Sequence, residues 1–207
     1  SAVRSEFKHL EFYYFHNCVY DFVWKHNRRR HAERTSTWDL MRTYNTDYRL
    51  VFVGDGPARP DLEALTKELK LTDRVRFAGM VKPDEVPRWY RVGDIFVSAS
   101  QSETQGLTYF EGMACGLPVL CRADPCLDGV VENGFNGWQW KDEAEFASAL
   151  NTIISDPALR GQLHQNALAT AARYSAEHFA QQVLDAYQQA IALKRYESEH
   201  KSILSWV

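Results

Sequence analysis

The sequence predicts an α/β fold in which a parallel sheet carries helices on both faces and further helices follow at the C-terminal end. Two apolar runs carry much of this. Residues 94–100 and 117–121 read as buried parallel strands and bracket a glycine and a helix-forming stretch. Upstream, residues 49–91 alternate between strand and helix patterns, and beyond Asp142 the periodicity becomes helical and stays so.

Taken in order, residues 8–24 are crowded with aromatics, among them Phe12, Tyr13, Tyr14, Phe15, Tyr20, Phe22 and Trp24, and are expected to form a helix packed on the sheet. The basic run Lys25-His26-Asn27-Arg28-Arg29-Arg30-His31 reads as a solvated loop, with contact to anionic lipid headgroups as the alternative. A strand at 49–53 leads into Gly54-Asp55-Gly56-Pro57, a turn without the G-x-G-x-x-G pattern of dinucleotide folds. Leu62, Leu65 and Leu69 then mark one helix face. A strand at 74–78, a short helix near 84–91 and a strand at 94–98 complete two more βα steps. A helix at about 107–115 follows, then a helical turn at Asp128-Gly129-Val130-Val131 and a last short strand at Gly137-Trp138-Gln139-Trp140. Three helices are expected at 142–154, 157–173 and 176–200, with Asp156-Pro157 and Ser175 as start signals. Their packed faces would carry Leu159, Leu163 and Ala167, then Phe179, Val183, Ala186 and Tyr187. These patterns divide the chain into an α/β domain at 1–175 and a helical extension at 176–207.

Composition narrows the class of protein. Hydrophobic residues at 45% and charged residues at 25% are globular values, and a net charge of −3 makes no general case for nucleic acid. No apolar stretch approaches the roughly 20 residues that span a bilayer, and no signal peptide is visible. Cys18, Cys115, Cys121 and Cys126 lack the density of a disulfide framework and the paired spacing of a zinc site, so they are expected to be reduced thiols. The expected location is the cytoplasm, with the inner face of the membrane as its peripheral variant.

The chemistry concentrates at Ser102-Glu103-Thr104-Gln105-Gly106-Leu107-Thr108-Tyr109-Phe110-Glu111, where two carboxylates stand eight residues apart around a glycine and a helix start. Gly106 permits close backbone approach. The N–H groups of Leu107 and Thr108 open the helix without intrahelical partners, and such an end attracts phosphate. Glu103 would accept hydrogen bonds from sugar hydroxyls, and Glu111, one turn into the helix, from the hydroxyls of a ribose. One ligand would run sugar, diphosphate, ribose across the helix tip. A bare pair of glutamates at this spacing is ordinarily solvated surface. The strand before it and the strand after it place this pair at a ligand crevice of a doubly wound sheet. Asp124 and Asp128, in a loop facing the same crevice, read first as surface aspartates and second as sugar-orienting groups.

Five pieces occur together: Arg49-Leu50-Val51-Phe52-Val53-Gly54-Asp55-Gly56-Pro57, Val75-Arg76-Phe77-Ala78-Gly79-Met80-Val81, the strand at 94–100, the E-x7-E segment with Ala114-Cys115-Gly116-Leu117-Pro118-Val119, and Glu132-Asn133-Gly134-Phe135-Asn136-Gly137. In this order they resemble the C-terminal, donor-binding domain of retaining GT-B glycosyltransferases of family GT4, a group that includes bacterial diacylglycerol glucosyltransferases. The resemblance covers a little under half the chain, from Tyr48 to Trp138, and implies a Rossmann-like half of a GT-B fold. It implies catalytic contact of Glu103 with the donor sugar. Gly106, Leu107 and Thr108 would meet the diphosphate or nucleoside, Glu111 the ribose, and Met80 and Val81 the base. The family's cations on the diphosphate are matched loosely by Arg4 and Lys8, in Val3-Arg4-Ser5-Glu6-Phe7-Lys8.

The activity implied is transfer of a hexose from a nucleotide-sugar to an acceptor hydroxyl with retained configuration. By resemblance the donor is UDP-glucose and the acceptor a glycerolipid. Neither a metal nor a cofactor beyond the donor is implied. The acceptor-binding half is expected to precede Ser1 in the same polypeptide, so the isolated chain is expected to be inactive. A GT-B-type sugar-nucleotide epimerase and a non-catalytic nucleotide-sugar binding module fit the same crevice.

Overall fold

A computed structural model of the chain describes residues 11–15, 49–100 and 106–204. The chain divides into two compact units, Ser1–Ala171 and Ala172–Val207. In the first unit, β1 (Glu11–Phe15), β2 (Arg49–Val53), β3 (Val75–Gly79), β4 (Ile95–Ser98), β5 (Val119–Arg122) and β6 (Gly137–Trp140) form one sheet. Its order is β3-β2-β1-β4-β5-β6, and each neighbouring pair of named strands is parallel. The helices are α1 (Arg59–Glu68), α2 (Val86–Tyr90), α3 (Leu107–Ala114), α4 (Glu143–Ser155) and α5 (Pro157–Arg173), and α6 (Ala176–Leu204) lies in the second unit. This is the α/β architecture that the strand and helix patterns predict, and it matches the Rossmann-like half of a GT-B fold that the resemblance implies.

Alternation along the strands builds a core on each face of the sheet. Leu50, Ile95, Val97 and Leu120 join Leu62 of α1 and Phe146, Leu150 and Ile153 of α4 on one side. Their neighbours Val51, Phe96, Val119 and Cys121 face the other side, with Tyr90 of α2 and Tyr109 and Met113 of α3. Helix α5 contributes Leu163 to the first core and Ala167 to the second. Each fully buried side chain of this size stabilises the fold by about 1.5–3 kcal/mol relative to exposure.

Local chemistry sets the ends of these elements. Asp142 caps α4 by accepting from the Glu145 N–H, and the Glu145 carboxylate reaches back to the Lys141 N–H. Asp156 accepts from the N–H groups of Ala158 and Leu159, which starts α5 at Pro157. At the sheet edge, a Cβ on Gly137 would lie 2.0 Å from the Val119 carbonyl oxygen. Only glycine lets β6 lie against β5 there.

Three expectations are corrected. The aromatic stretch within 8–24 does not form a helix through residues 11–15. It supplies β1, which pairs with β2 from Glu11–Arg49 to Phe15–Val53 and with β4 through Phe12 and Tyr13. Bulky aromatic residues suit a pleated surface, and pairing on both sides outweighs local helix preference. The helical turn expected at Asp128–Val131 instead lies earlier, as a 3-10 turn over Pro125–Leu127, because Asp124 accepts from the Cys126 N–H and Pro125 sets its first dihedral. In the second unit, Phe179, Ala186 and Tyr187 of the expected packed face of α6 are exposed, with Phe179 at 66% and Tyr187 at 65%, and Val183 is half-buried. An apolar stripe is buried only where another element lies against it. Among the described residues no helix is long and apolar enough to cross a membrane. The basic run at 25–31 and the side chains of Ile203, Leu204, Trp206 and Val207 lie outside the description.

Candidate functional site

A parallel sheet gathers the loops leaving the carboxyl ends of its strands on one edge. Here the strand order reverses between β1 and β4, and in open α/β sheets ligands settle at that switch. The segment leaving β4 leads into Gly106 and α3.

Gly106 precedes the first turn of α3 with φ 60° and ψ 31°, in the left-handed region. An L side chain there costs about 1–2 kcal/mol, and its Cβ would stand 3.1 Å from the Tyr109 ring. Having no side chain, Gly106 leaves the helix start uncapped by its own residue. The helix therefore presents backbone N–H groups and the positive end of its dipole. Leu107 is 62% exposed, and Thr108 is half-buried.

One turn further, the exposed Glu111 is held from below. Tyr90, 1% exposed, donates its hydroxyl to Glu111 Oε2 at 3.0 Å and lies 3.3 Å from the Thr108 carbonyl oxygen. Burial, followed by the negative charge and hydrogen bond of Glu111, pushes the Tyr90 phenol far above its usual range. It is a permanent donor at neutral pH. A second phenol secures the strand side, where Tyr109 donates to Ser98 Oγ at 2.8 Å and that oxygen accepts from the Ser100 N–H at 3.3 Å. The rings of Tyr90, Phe96 and Tyr109 pack in series beneath α3, with centroids 5.9 and 5.6 Å apart.

On the β2–β3 side of the same edge, the Gly54 N–H donates to the Gly79 carbonyl at 2.8 Å, joining the Gly-Asp-Gly-Pro turn to the Gly79-Met80-Val81 loop. Arg59 braces that turn through Asp55 at 3.0 Å and Glu63 at 2.8 Å. Met80 is 77% exposed and so does not fill core space, while Val81 is half-buried against the second core. The topology thus brings Met80, Val81, Gly106, Leu107, Thr108 and Glu111 to one edge.

Glu103, Arg4 and Lys8 lie outside the described residues. In the chain, Arg4 and Lys8 precede β1. Asp124 spends one carboxylate oxygen capping the 3-10 turn. Among the described residues no group of three His, Cys, Asp or Glu side chains is placed to hold a metal ion. A cavity of about 450 Å³ lies elsewhere, between α1 and strands β2 and β3, lined by Arg49, Arg59, Glu63, Asp73 and Arg74 among others. None of the expected ligand residues lines it.

Sequence reasoning missed Tyr90, Tyr109 and Ser98. Tyr90 stands 21 residues before Glu111, on another helix, and nothing local reveals where its hydroxyl points. The signal for Tyr109 was nearer at hand. It lies two residues before Glu111 and so points to a different side of the helix, toward the strand.

Known proteins match this chain in sequence and in fold. The family model for glycosyl transferases group 1 matches residues 37–170. An alpha-monoglucosyldiacylglycerol synthase of Acholeplasma laidlawii is 35% identical over 157 residues, which are 73% of this chain and 39% of that protein. Anabaena HepE, solved in complex with UDP, superposes with a TM-score of 0.73 at 23% identity over 91% of this chain and 52% of that one. The C-terminal domain of the Francisella tularensis group 1 glycosyl transferase LpcC superposes with a TM-score of 0.64 at 23% identity, over 81% of this chain and 87% of that one. The chain spans about two fifths of the length of the curated relative. With the family model matched from β2 through α5, this chain belongs to the group 1 glycosyl transferases, related to family GT4.

Proposed function

We propose that the chain is the C-terminal, donor-binding half of a retaining hexosyltransferase of the diacylglycerol glucosyltransferase type, taking UDP-glucose as donor and a glycerolipid hydroxyl as acceptor. The observation that carries the donor site is the Glu111 carboxylate, fixed one turn inside a helix whose glycine tip opens at the switch point of the sheet. The helix tip would neutralise the diphosphate as charge builds on the leaving group. Glu111 would accept from the ribose hydroxyls, Met80 and Val81 would flank the base, and Glu103 would meet the hexose. The work of this half is positioning and leaving-group stabilisation.

Support for a UDP-sugar comes from HepE, solved with UDP and with UDP-glucose. Support for the glycerolipid comes from the alpha-monoglucosyldiacylglycerol synthases of Acholeplasma laidlawii and Streptococcus pneumoniae, each 35% identical over the matched part. The proposed setting is the cytoplasmic face of a membrane, with the acceptor-binding half supplied by the rest of a longer polypeptide.

Titration calorimetry of UDP into this chain tests the site. Weak binding is expected, and Glu111→Ala should weaken it by about 1–3 kcal/mol, the worth of a charged hydrogen bond. Equal affinities would remove Glu111 from the site. Glucose transfer to diacylglycerol by the full-length protein tests the reaction. Epimerisation of UDP-glucose without an acceptor, or tight donor binding without turnover, would replace it.

A further inference from the structure

We infer that Tyr90 is a positioning residue for ribose recognition, setting which oxygen of Glu111 meets the ligand. The inference rests on the donor-site reading above and adds a residue that the E-x7-E segment does not contain.

The geometry is specific. The Tyr90 side chain is buried among core residues that include Phe96, and its hydroxyl emerges beneath the exposed Glu111. A phenol has one proton to donate. Glu111 Oε2 stands at 3.0 Å and the Thr108 carbonyl at 3.3 Å, so the shorter and charge-assisted bond takes the proton. The carboxylate is then held by Oε2, and Oε1 is left to accept from a hydroxyl arriving at the helix tip. A glutamate on a helix surface otherwise has rotamer freedom that ligand binding would have to remove. Tyr90 removes it beforehand, and α2 thereby acts on a ligand contact made by α3.

The other features of the fold carry less. The arginine-lined cavity beside β3 contains its own acidic partners, and nothing among the described residues identifies an occupant for the exposed residues of α6.

The test compares UDP with 2′,3′-dideoxyuridine 5′-diphosphate, which lacks the ribose hydroxyls, on wild type, Tyr90→Phe, Glu111→Ala and the double variant. Tyr90→Phe should weaken UDP binding about 5- to 10-fold, because the ribose contact survives and only the prior ordering of Glu111 is lost. It should leave the dideoxy compound unchanged and have no further effect in the Glu111→Ala background. Thermal midpoints establish that each variant is folded. Equal weakening of both ligands by Tyr90→Phe would mean a structural role only and would overturn the inference, as would an additive double variant. If UDP binding falls in Glu111→Ala and not in Tyr90→Phe, the donor site stands and the role of Tyr90 fails. Absence of UDP binding by wild type overturns both.

Discussion

The Tyr109 hydroxyl donates to Ser98 Oγ at 2.8 Å with both residues buried, tying the first turn of α3 to the last residue of β4. This bond spans the base of the loop that carries the chain from β4 to Gly106. Tyr109→Phe removes the shorter of two hydrogen bonds to the buried Ser98 Oγ, the other coming from the Ser100 N–H, at a cost of about 1 kcal/mol. Urea unfolding should show that loss, and UDP affinity should fall with it because the helix tip loses its anchor. Unchanged stability would mean that Ser98 finds another donor.

Substitution of Gly106 tests the tip directly. Gly106→Ala should destabilise by about 1–2 kcal/mol from the left-handed backbone alone, and the new Cβ pushes on the Tyr109 ring. Thermal denaturation and UDP titration should both report a loss. A variant as stable as wild type would show that the tip relaxes into another conformation.

Two other glycines should respond with opposite signs. In Gly137→Ala the added carbon runs into the Val119 backbone, which has little room to move, and about 3 kcal/mol or more of stability should disappear. Gly161 lies within α5 with open space around its Cβ position. Gly161→Ala should therefore stabilise by about 0.5–1 kcal/mol. Denaturant midpoints of the pair check both signs.

Alkali should unfold the chain through two buried acids. Burial raises the Cys121 thiol, aided by the nearby charges of Cys126 and Asp124, and burial with the Glu111 charge raises the Tyr90 phenol. Both keep their protons in the folded state at a pH where the unfolded chain has lost them. Their contribution is complete below the unfolded pKa values and declines as pH rises from about 8.5 for the thiol and about 10 for the phenol. Each group should add a slope of about 1.4 kcal/mol per pH unit in that window. Tyr90→Phe should flatten the slope above pH 10 and leave the segment nearer pH 9 unaltered. An identical profile in both proteins would remove Tyr90 from the alkaline transition.

Local order along the chain made much of the fold legible. The apolar strands, the turn at Gly54, the helix after Gly106 and the helical C-terminal third all follow from short-range periodicity and punctuation, and Glu111 was visible because it lies on the helix that Gly106 opens. Aromatic residues 11–15 were misread because their side chains suit either a helix face or a pleated strand. Their state depends on β2 and β4, which are distant in sequence.

By itself, then, the sequence determined that this chain would build βα units around a glycine-opened helix flanked by acidic residues, since turn chemistry and apolar spacing act over a few neighbours. Tertiary structure alone decided that β1 stands at the middle of the sheet, putting the strand reversal beside that helix. It also decided that Tyr90 lies beneath Glu111. Hydrogen bonds and close packing between distant segments depend on where the folded backbone brings them together, and no local pattern records that placement.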